Sequence, residues 1–504
     1  MIILLVEEKL LKEVKAFLAK LPELKQNTNL QTLSAKEDAT NKLIINEKGI
    51  HWPLFWDDQL PPYLIPPQKL SKNTLAALCF FLSGEFNSAL NFLPEGKPLK
   101  TDLKAILHLI DYTEIPAEII ETLQQKTHQK NTHDFIARHN LAVLKHYGNF
   151  ANLPAAQKEA IKLYEQAIQS APNPEWKAFS AKQQAILLID LGQTEKAEKL
   201  TRKSIEEAIT IEAQAALKSL LTDILIKKLV IPYDEMLIME LKSLIQDTLE
   251  YQKKKNNDIG IAQAYAHAAY IALTAKNYTE ALNYINAALK HFEQAGNEIL
   301  WAEALMRKGE ILYTWAQSGN PQFYKAAAES YQEALKVFSK EFAPAAFAQI
   351  HHQLGLIYTD FPVEDKKRGI MAGMAQNSFK LALAYFSKDK YPYEYAAICN
   401  HFGNALCKFP PSIHSDNFQK ALHYYNEALE IRTADYPYER AITLLNYIQA
   451  CWHLRHEKQN GQHLWLDMKR KAEEVLKLVS DPTLKAEAQK HLRDLEEWKK
   501  AMKK

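Results

Sequence analysis

The sequence predicts an all-α fold, a solenoid of stacked helical hairpins, with a small irregular or α+β segment at the N-terminus. Three observations carry the prediction. Small residues recur at fixed offsets along most of the chain, as they must where two helix backbones come close. Copies of one short proline motif recur where hairpins would begin. Glycine is sparse, at 14 of 504 residues, while alanine, leucine, lysine and glutamate, which cost least in a helix, abound.

Taken from the N-terminus, residues 1–70 are the least regular part and are expected to form a cap or a small interaction module. Residues 10–21 have helical spacing and stop near Pro22. Leu43-Ile44-Ile45 and Ile50-His51-Trp52 flank a turn at 46–49 and suggest a short hairpin. Pro61, Pro62, Pro66 and Pro67 then mark an irregular stretch. Residues 71–134 read as degenerate helical repeats, with Ala77, Gly84, Phe86 and Ala89 as a partial unit.

Residues 135–255 read as regular repeats. Ala142, Ala160, Tyr164 and Ala167 mark one unit, and Ala185, Gly192, Ala197 and Ser204 the next. Residues 209–255 then hold a degenerate pair broken by Pro232. Its placement fits the count, because Ala185 and Ala269 lie 84 residues apart, two units of 42.

Residues 256–480 read as longer repeats. The plainest has five alanines between 262 and 269, a turn at Lys276-Asn277-Tyr278, and Ala281, Ile285 and Ala288 on a second helix. Gly309, Ala327, Tyr331 and Ala334 repeat that grammar. So do Gly355, Ala375, Phe379 and Ala382, and then Gly403, Ala421, Tyr425 and Ala428. Tyr391-Pro392-Tyr393-Glu394-Tyr395-Ala396 returns 45 residues later as Tyr436-Pro437-Tyr438-Glu439-Arg440-Ala441, with a weaker copy around Pro344. Proline suits a first helical turn, where its missing N–H has no intrahelical partner. Gly369-Ile370-Met371-Ala372-Gly373 reads as a turn between helices. Residues 481–504 read as a capping helix, with Leu492, Leu495 and Trp498 on one face and Lys499, Lys500, Lys503 and Lys504 serving solubility.

These features resemble the tetratricopeptide repeat. The defining positions of that motif map onto Ala185, Leu188, Gly192, Thr194, Ala197, Thr201 and Ser204. They map equally onto Ala269, Ala272, Lys276, Tyr278, Ala281, Ile285 and Ala288. The spacing departs from the simple 34-residue form: Ala269, Gly309, Gly355, Gly403 and Asn446 stand 40 to 48 apart, the extra residues falling at 362–373 and 409–417. The run Ala428-Leu429-Glu430-Ile431-Arg432-Thr433, followed by Tyr436-Pro437 and Ala441, is similar to long repeats of bacterial proteins that sit beside caspase-like protease domains. No such protease domain is read in this chain.

The resemblance implies a right-handed superhelix with the first helix of each unit on its concave face. Carried over, the inner set is His139, Asn140, Lys182, Gln183, His267, Arg307, Glu310, His352, Gln353, Asn400, His401, Asn404 and Arg440. Asparagine and glutamine offer donor and acceptor together and suit the backbone of an extended peptide. Asn400, His401 and Asn404 form the densest group. The lysine, asparagine and arginine set with which the family clamps terminal carboxylates is incomplete here, so chaperone tails are not expected as ligands.

The expected role is a scaffold or regulatory adaptor for a protein or peptide partner. The alternative is a sensor or accessory subunit that takes a small molecule or nucleic acid. The net charge of +2, from 62 basic and 60 acidic residues, gives no argument for nucleic acid. Four scattered cysteines, Cys79, Cys399, Cys407 and Cys451, suit a reducing, cytoplasmic compartment. The six apolar residues that open the chain are too few for a leader core, and no membrane span is expected. No enzyme activity, cofactor or metal is expected. Cys399 and His401 diverge by about 200° on a helix, His351-His352 lacks a placed acid, and His453, His456 and His463 near Cys451 are the ordinary case of solvated histidines.

Overall fold

The computed structural model describes residues 2–33, 42–57, 60–127, 132–229, 234–411, 416–454 and 461–502. Two compact units result, Met1–His267 and Ala268–Lys504.

The first unit opens with β1 (Ile2–Val6), α1 (Leu11–Ala19), α2 (Pro22–Asn27), β2 (Thr28–Thr32), β3 (Lys42–Asn46) and β4 (Gly49–His51). The strands form one sheet in the order β2-β1-β3-β4. Strand β1 is parallel to β2 and β3, and β3 is antiparallel to β4. The expected hairpin at 42–51 is present. The apolar opening of the chain is the central strand of the sheet, with Leu4, Leu5 and Val6 fully buried. A continuous apolar run is what a strand covered on both faces requires. Gly49 is obligatory at the turn: its φ is +122°, and a Cβ there would stand 2.2 Å from the Gln68 carbonyl oxygen.

Helices α3 (Lys72–Leu82), α4 (Phe86–Asn91), α5 (Pro98–Ile110) and α6 (Ala117–Lys126) follow. Hairpins come next: α7 (Thr132–Tyr147) with α8 (Pro154–Ser170), α9 (Pro174–Asp190) with α10 (Thr194–Glu207), and α11 (Ile211–Ile226) with α12 (Glu235–Lys255). Helix α13 (Asp258–Thr274) holds the division between the units. Pro232, read as the break in the α11–α12 pair, lies outside the described residues. One hydrophobic core joins Leu4, Val14 and Ile45 of the sheet module to Leu78, Leu103, Val143 and Tyr164 of the helices.

The second unit continues with α14 (Tyr278–Gln294), then α15 (Glu298–Gln317) with α16 (Phe323–Ala334) and α17 (Pro344–Asp360) with α18 (Asp365–Tyr385). Next are α19 (Pro392–Lys408) with α20 (Asn417–Ile431), α21 (Pro437–Cys451) with α22 (Gly461–Leu478), and a final α23 (Pro482–Met502). Pro344, Pro392 and Pro437 each open a first helix. First helices also touch one another, α17 with α19 and α19 with α21, so they form one layer.

The small residues are explained by their neighbours. Gly309, Gly355 and Gly403 each carry an aromatic ring from the paired second helix. A Cβ would fall 2.5 Å from Tyr331 at Gly309, 3.0 Å from Phe379 at Gly355, and 2.5 Å from Tyr425 at Gly403. Gly369 and Gly373 do not form a turn. They lie inside the 21-residue α18, so the added length of that repeat is largely helix. Helix α23 covers the last pair, with Leu495 fully buried and its carbonyl accepting from Trp465 Nε1 at 2.8 Å. Lys503 and Lys504 lie outside the described residues. Among the described residues, no helix is long and apolar enough to cross a membrane.

Candidate functional site

The thirteen inner residues divide sharply by unit. In the first unit His139, Asn140, Lys182 and Gln183 were expected on an open face, and they are buried, between 0% and 4% exposed. What covers them is the chain itself. The segment carrying Trp56 and Pro62-Tyr63-Leu64 lies across α7 and α9, gripped mainly through its backbone.

Asn140 meets Leu64 twice: Oδ1 accepts from the Leu64 N–H at 2.8 Å, and Nδ2 donates to the Leu64 carbonyl at 2.7 Å. His139 Nε2 donates to the Pro62 carbonyl at 2.7 Å, and Nδ1 takes the Ser180 hydroxyl at 2.8 Å. A carbonyl only accepts, so this pair of bonds fixes the neutral Nε2–H tautomer. Burial agrees, lowering the imidazole to about 4. Lys182 Nζ donates to the Trp56 carbonyl at 3.1 Å. Gln183 Oε1 accepts from the Tyr147 hydroxyl at 2.7 Å.

Side chains fill what the backbone contacts leave. The Trp56 ring meets Phe179 edge-on at 5.1 Å. The Tyr63 hydroxyl donates to Asp102 Oδ1 at 3.1 Å, and burial raises the Asp102 carboxyl to about 6. His267, also in the first unit, has Nε2 2.9 Å from Asp223 Oδ1 of the neighbouring first helix.

In the second unit part of the inner set ties first helices together. His352 Nε2 and His401 Nδ1 are 2.8 Å apart. Burial lowers both rings, to about 3 and about 4, so the pair is neutral with one proton between the facing nitrogens. Asn400, expected on the open face, is 4% exposed and accepts from Asn446 Nδ2 at 3.1 Å. Asn404 Oδ1 accepts from the Tyr425 hydroxyl at 2.8 Å. Arg440 is engaged as well: it pairs with Glu474 at 2.6 Å and donates to the Leu429 and Arg432 carbonyls that end α20.

Arg307, Glu310 and Gln353 remain. The Arg307 guanidinium stacks over Tyr270 at 5.4 Å and makes no ion pair within 4 Å among the described residues. Glu310 is exposed one turn further along α15, and Gln353 is half-buried on α17. Neither side chain has a hydrogen-bond partner among the described residues.

The register makes the two units comparable. His139 and Asn140 stand three and two residues before Ala142, the small residue that starts their repeat. His352 and Gln353 stand three and two before Gly355, and Asn400 and His401 three and two before Gly403. The places that hold Pro62 and Leu64 in the first unit thus carry a histidine and an amide again in the second, in the same order on α17 and reversed on α19. There, among the described residues, no segment of the chain lies on them.

Among the described residues, no group of three histidines, cysteines or carboxylates is placed to hold a metal ion. Cys399 and Cys451 are buried thiols raised to about 12, and the His453 ring stacks on Phe418 at 4.7 Å. His456 lies outside the described residues.

No protein-family model matches the chain, and no curated protein sequence matches it. Solved structures do match. One is a signal-transduction ATPase with numerous domains and a tetratricopeptide-repeat sensor from Pyrococcus horikoshii. It is 15% identical with a TM-score of 0.53, over 82% of this chain and 57% of that one. This chain has a tetratricopeptide-like repeat fold. It spans little more than half the length of that ATPase. The apo form of RapI matches at 14% identity and TM-score 0.43, over 59% of this chain and 97% of that one. The human IFIT1 dimer with PPP-AAAA matches at 15% and 0.47, over 85% and 90%.

Proposed function

We propose that the protein is a non-enzymatic scaffold or regulatory adaptor, and that the first-helix layer of its second unit takes an extended segment of a protein partner. One observation carries the reading. In the first unit, equivalent first-helix positions already hold an extended, proline-bearing segment by its backbone, and in the second unit the like positions carry none of the chain among the described residues. Gln353 supplies the donor and acceptor that Asn140 supplies to Leu64. The outer nitrogens of the neutral His352–His401 pair supply one donor and one acceptor, whichever ring holds the shared proton. Arg307 adds a cation held in place by Tyr270.

The likeness of residues 428–441 to long repeats beside caspase-like domains supports a role in controlling a partner protein. Four free cysteines support a reducing compartment.

The test is affinity capture from native lysate with the full chain, comparing wild type with an Arg307→Ala, Gln353→Ala double variant. Both side chains lack hydrogen-bond partners among the described residues, so the variant is expected to fold. Loss of a protein that wild type recovers supports the reading. Unchanged recovery by a folded variant removes the second-unit face from consideration.

A further inference from the structure

An equivalent residue follows the second helices of three successive repeats, its N–H donating to the carbonyl of Ala334, Ala382 or Ala428. Phe338 stands six residues before Pro344, Phe386 six before Pro392, and Arg432 five before Pro437. Phe338 is 4% exposed, an apolar residue buried just after α16. Arg432 puts a guanidinium in that place, and it is buried to a similar degree, at 8%.

The charge is poorly compensated. Arg432 forms no ion pair within 4 Å among the described residues. Nη1 donates to the Thr443 hydroxyl at 2.7 Å and to the Glu439 carbonyl at 3.4 Å. Nε is enclosed without a partner, and Nη2 makes no hydrogen bond among the described residues. Burial pulls the guanidinium below its usual range, and the Glu439 carboxylate acts on it only from a distance. Nε is sealed off by the protein, so of this free edge it is Nη2 that is left to meet a carboxylate. The Arg432 charge helps to lower His401 of the first-helix layer, and Tyr393, a residue 51% exposed, acts on the guanidinium.

A buried, unpaired cation is costly, and an apolar residue of similar size is normally the more stable choice. The sister repeats carry phenylalanine there, buried at Phe338 and half-buried at Phe386. Thr443 does not need the arginine, because its hydroxyl donates to the Glu439 carbonyl at 2.9 Å. Packing therefore does not account for Arg432.

We infer that Arg432 receives a carboxylate from the partner of the second unit, an aspartate or glutamate side chain on an extended protein segment. The inference rests on the reading that this unit's first-helix layer binds such a segment. It also differs from a clamp built on inner first-helix positions, since Arg432 comes from the end of a second helix.

The experiment uses the full chain and two blocked nine-residue peptides, three repeats of alanine-glutamate-proline and three of alanine-glutamine-proline, followed by calorimetry at low salt. Wild type is expected to bind the glutamate peptide about tenfold tighter than the glutamine peptide. Arg432→Phe, which installs the sister repeats' own residue, is expected to abolish that preference while its unfolding midpoint stays equal or rises. Equal binding of the two peptides, no binding of either, or a preference that survives in Arg432→Phe overturns the inference. So does an Arg432→Phe chain that fails to fold, because the guanidinium would then be a structural brace. Partner capture that depends on Arg307 and Gln353, alongside equal peptide binding, leaves the scaffold reading standing and this inference overturned.

Discussion

Asn140 does the work of a strand partner with one side chain. It satisfies the Leu64 N–H and C=O in a place that water does not reach. Asn140→Ala leaves both groups buried and unpaired, at a cost of roughly 2–4 kcal/mol, to be read as a lower denaturant midpoint. The aptness of asparagine for an extended backbone was legible in the sequence. Its ligand was not, because the pairing of residues 64 and 140 is set by tertiary structure. A second pair of residues shows how differently one amino acid can be used. At Gly403 an added methyl meets Tyr425, which is 1% exposed and held by Asn404, so it cannot swing away. Gly403→Ala is expected to cost about 1–3 kcal/mol. At Gly373 nothing lies within 4 Å, and Gly373→Ala is expected to stabilise by about 0.5–1 kcal/mol, because alanine loses less backbone entropy in a helix. Equal effects at the two sites, in matched urea titrations, would contradict the packing described.

The same contrast explains which elements could be read in advance. Helices that begin at Pro344, Pro392 and Pro437 announce themselves, since proline both starts a helix and marks its first turn. The span from Gly369 to Gly373 misleads, because two exposed glycines weaken a helix without ending it when 21 residues share the cost. Strand β1 was visible as an apolar run, yet six residues do not reveal a sheet. Its edge partner β2, Thr-Asn-Leu-Gln-Thr, has no clear alternation because none of its residues is fully buried. The strap between β4 and α3 is the least legible element and the most informative. Its five prolines signal irregular backbone, whereas its seat on α7 and α9 follows only from the fold. The site in the second unit is legible to the same extent: the amides and histidines are plain in the sequence, but which of them already spend their hydrogen bonds on neighbouring helices is not. Arg432 gave no signal until it was set beside Phe338 and Phe386.

For the whole molecule, pH is the broadest probe. His139, His352 and His401 are held neutral, at about 4, 3 and 4, against 6.5 in an unfolded chain. As pH falls below 6.5 the unfolded state takes up protons that the folded state refuses, so each histidine removes about 1.4 kcal/mol per pH unit until its folded value is reached. Asp102 acts in the opposite sense. Raised to about 6 from 3.8, it favours the folded state increasingly as pH drops through that window. Three histidines outweigh one carboxyl, and the unfolding midpoint is expected to fall between pH 6.5 and 4. A flat or rising midpoint over that range would contradict the buried, neutral histidines.

The account depends on first helices of the array holding extended chain by its backbone, and the first unit offers the case that needs no partner. Hydrogen exchange at the Leu64 amide of the full chain reads it directly, with the Leu144 amide inside α7 as the internal reference. The account predicts strong protection at Leu64 in wild type, lost in Asn140→Ala while Leu144 stays protected. Rapid exchange at Leu64 in wild type, or protection unchanged by the substitution, would contradict it.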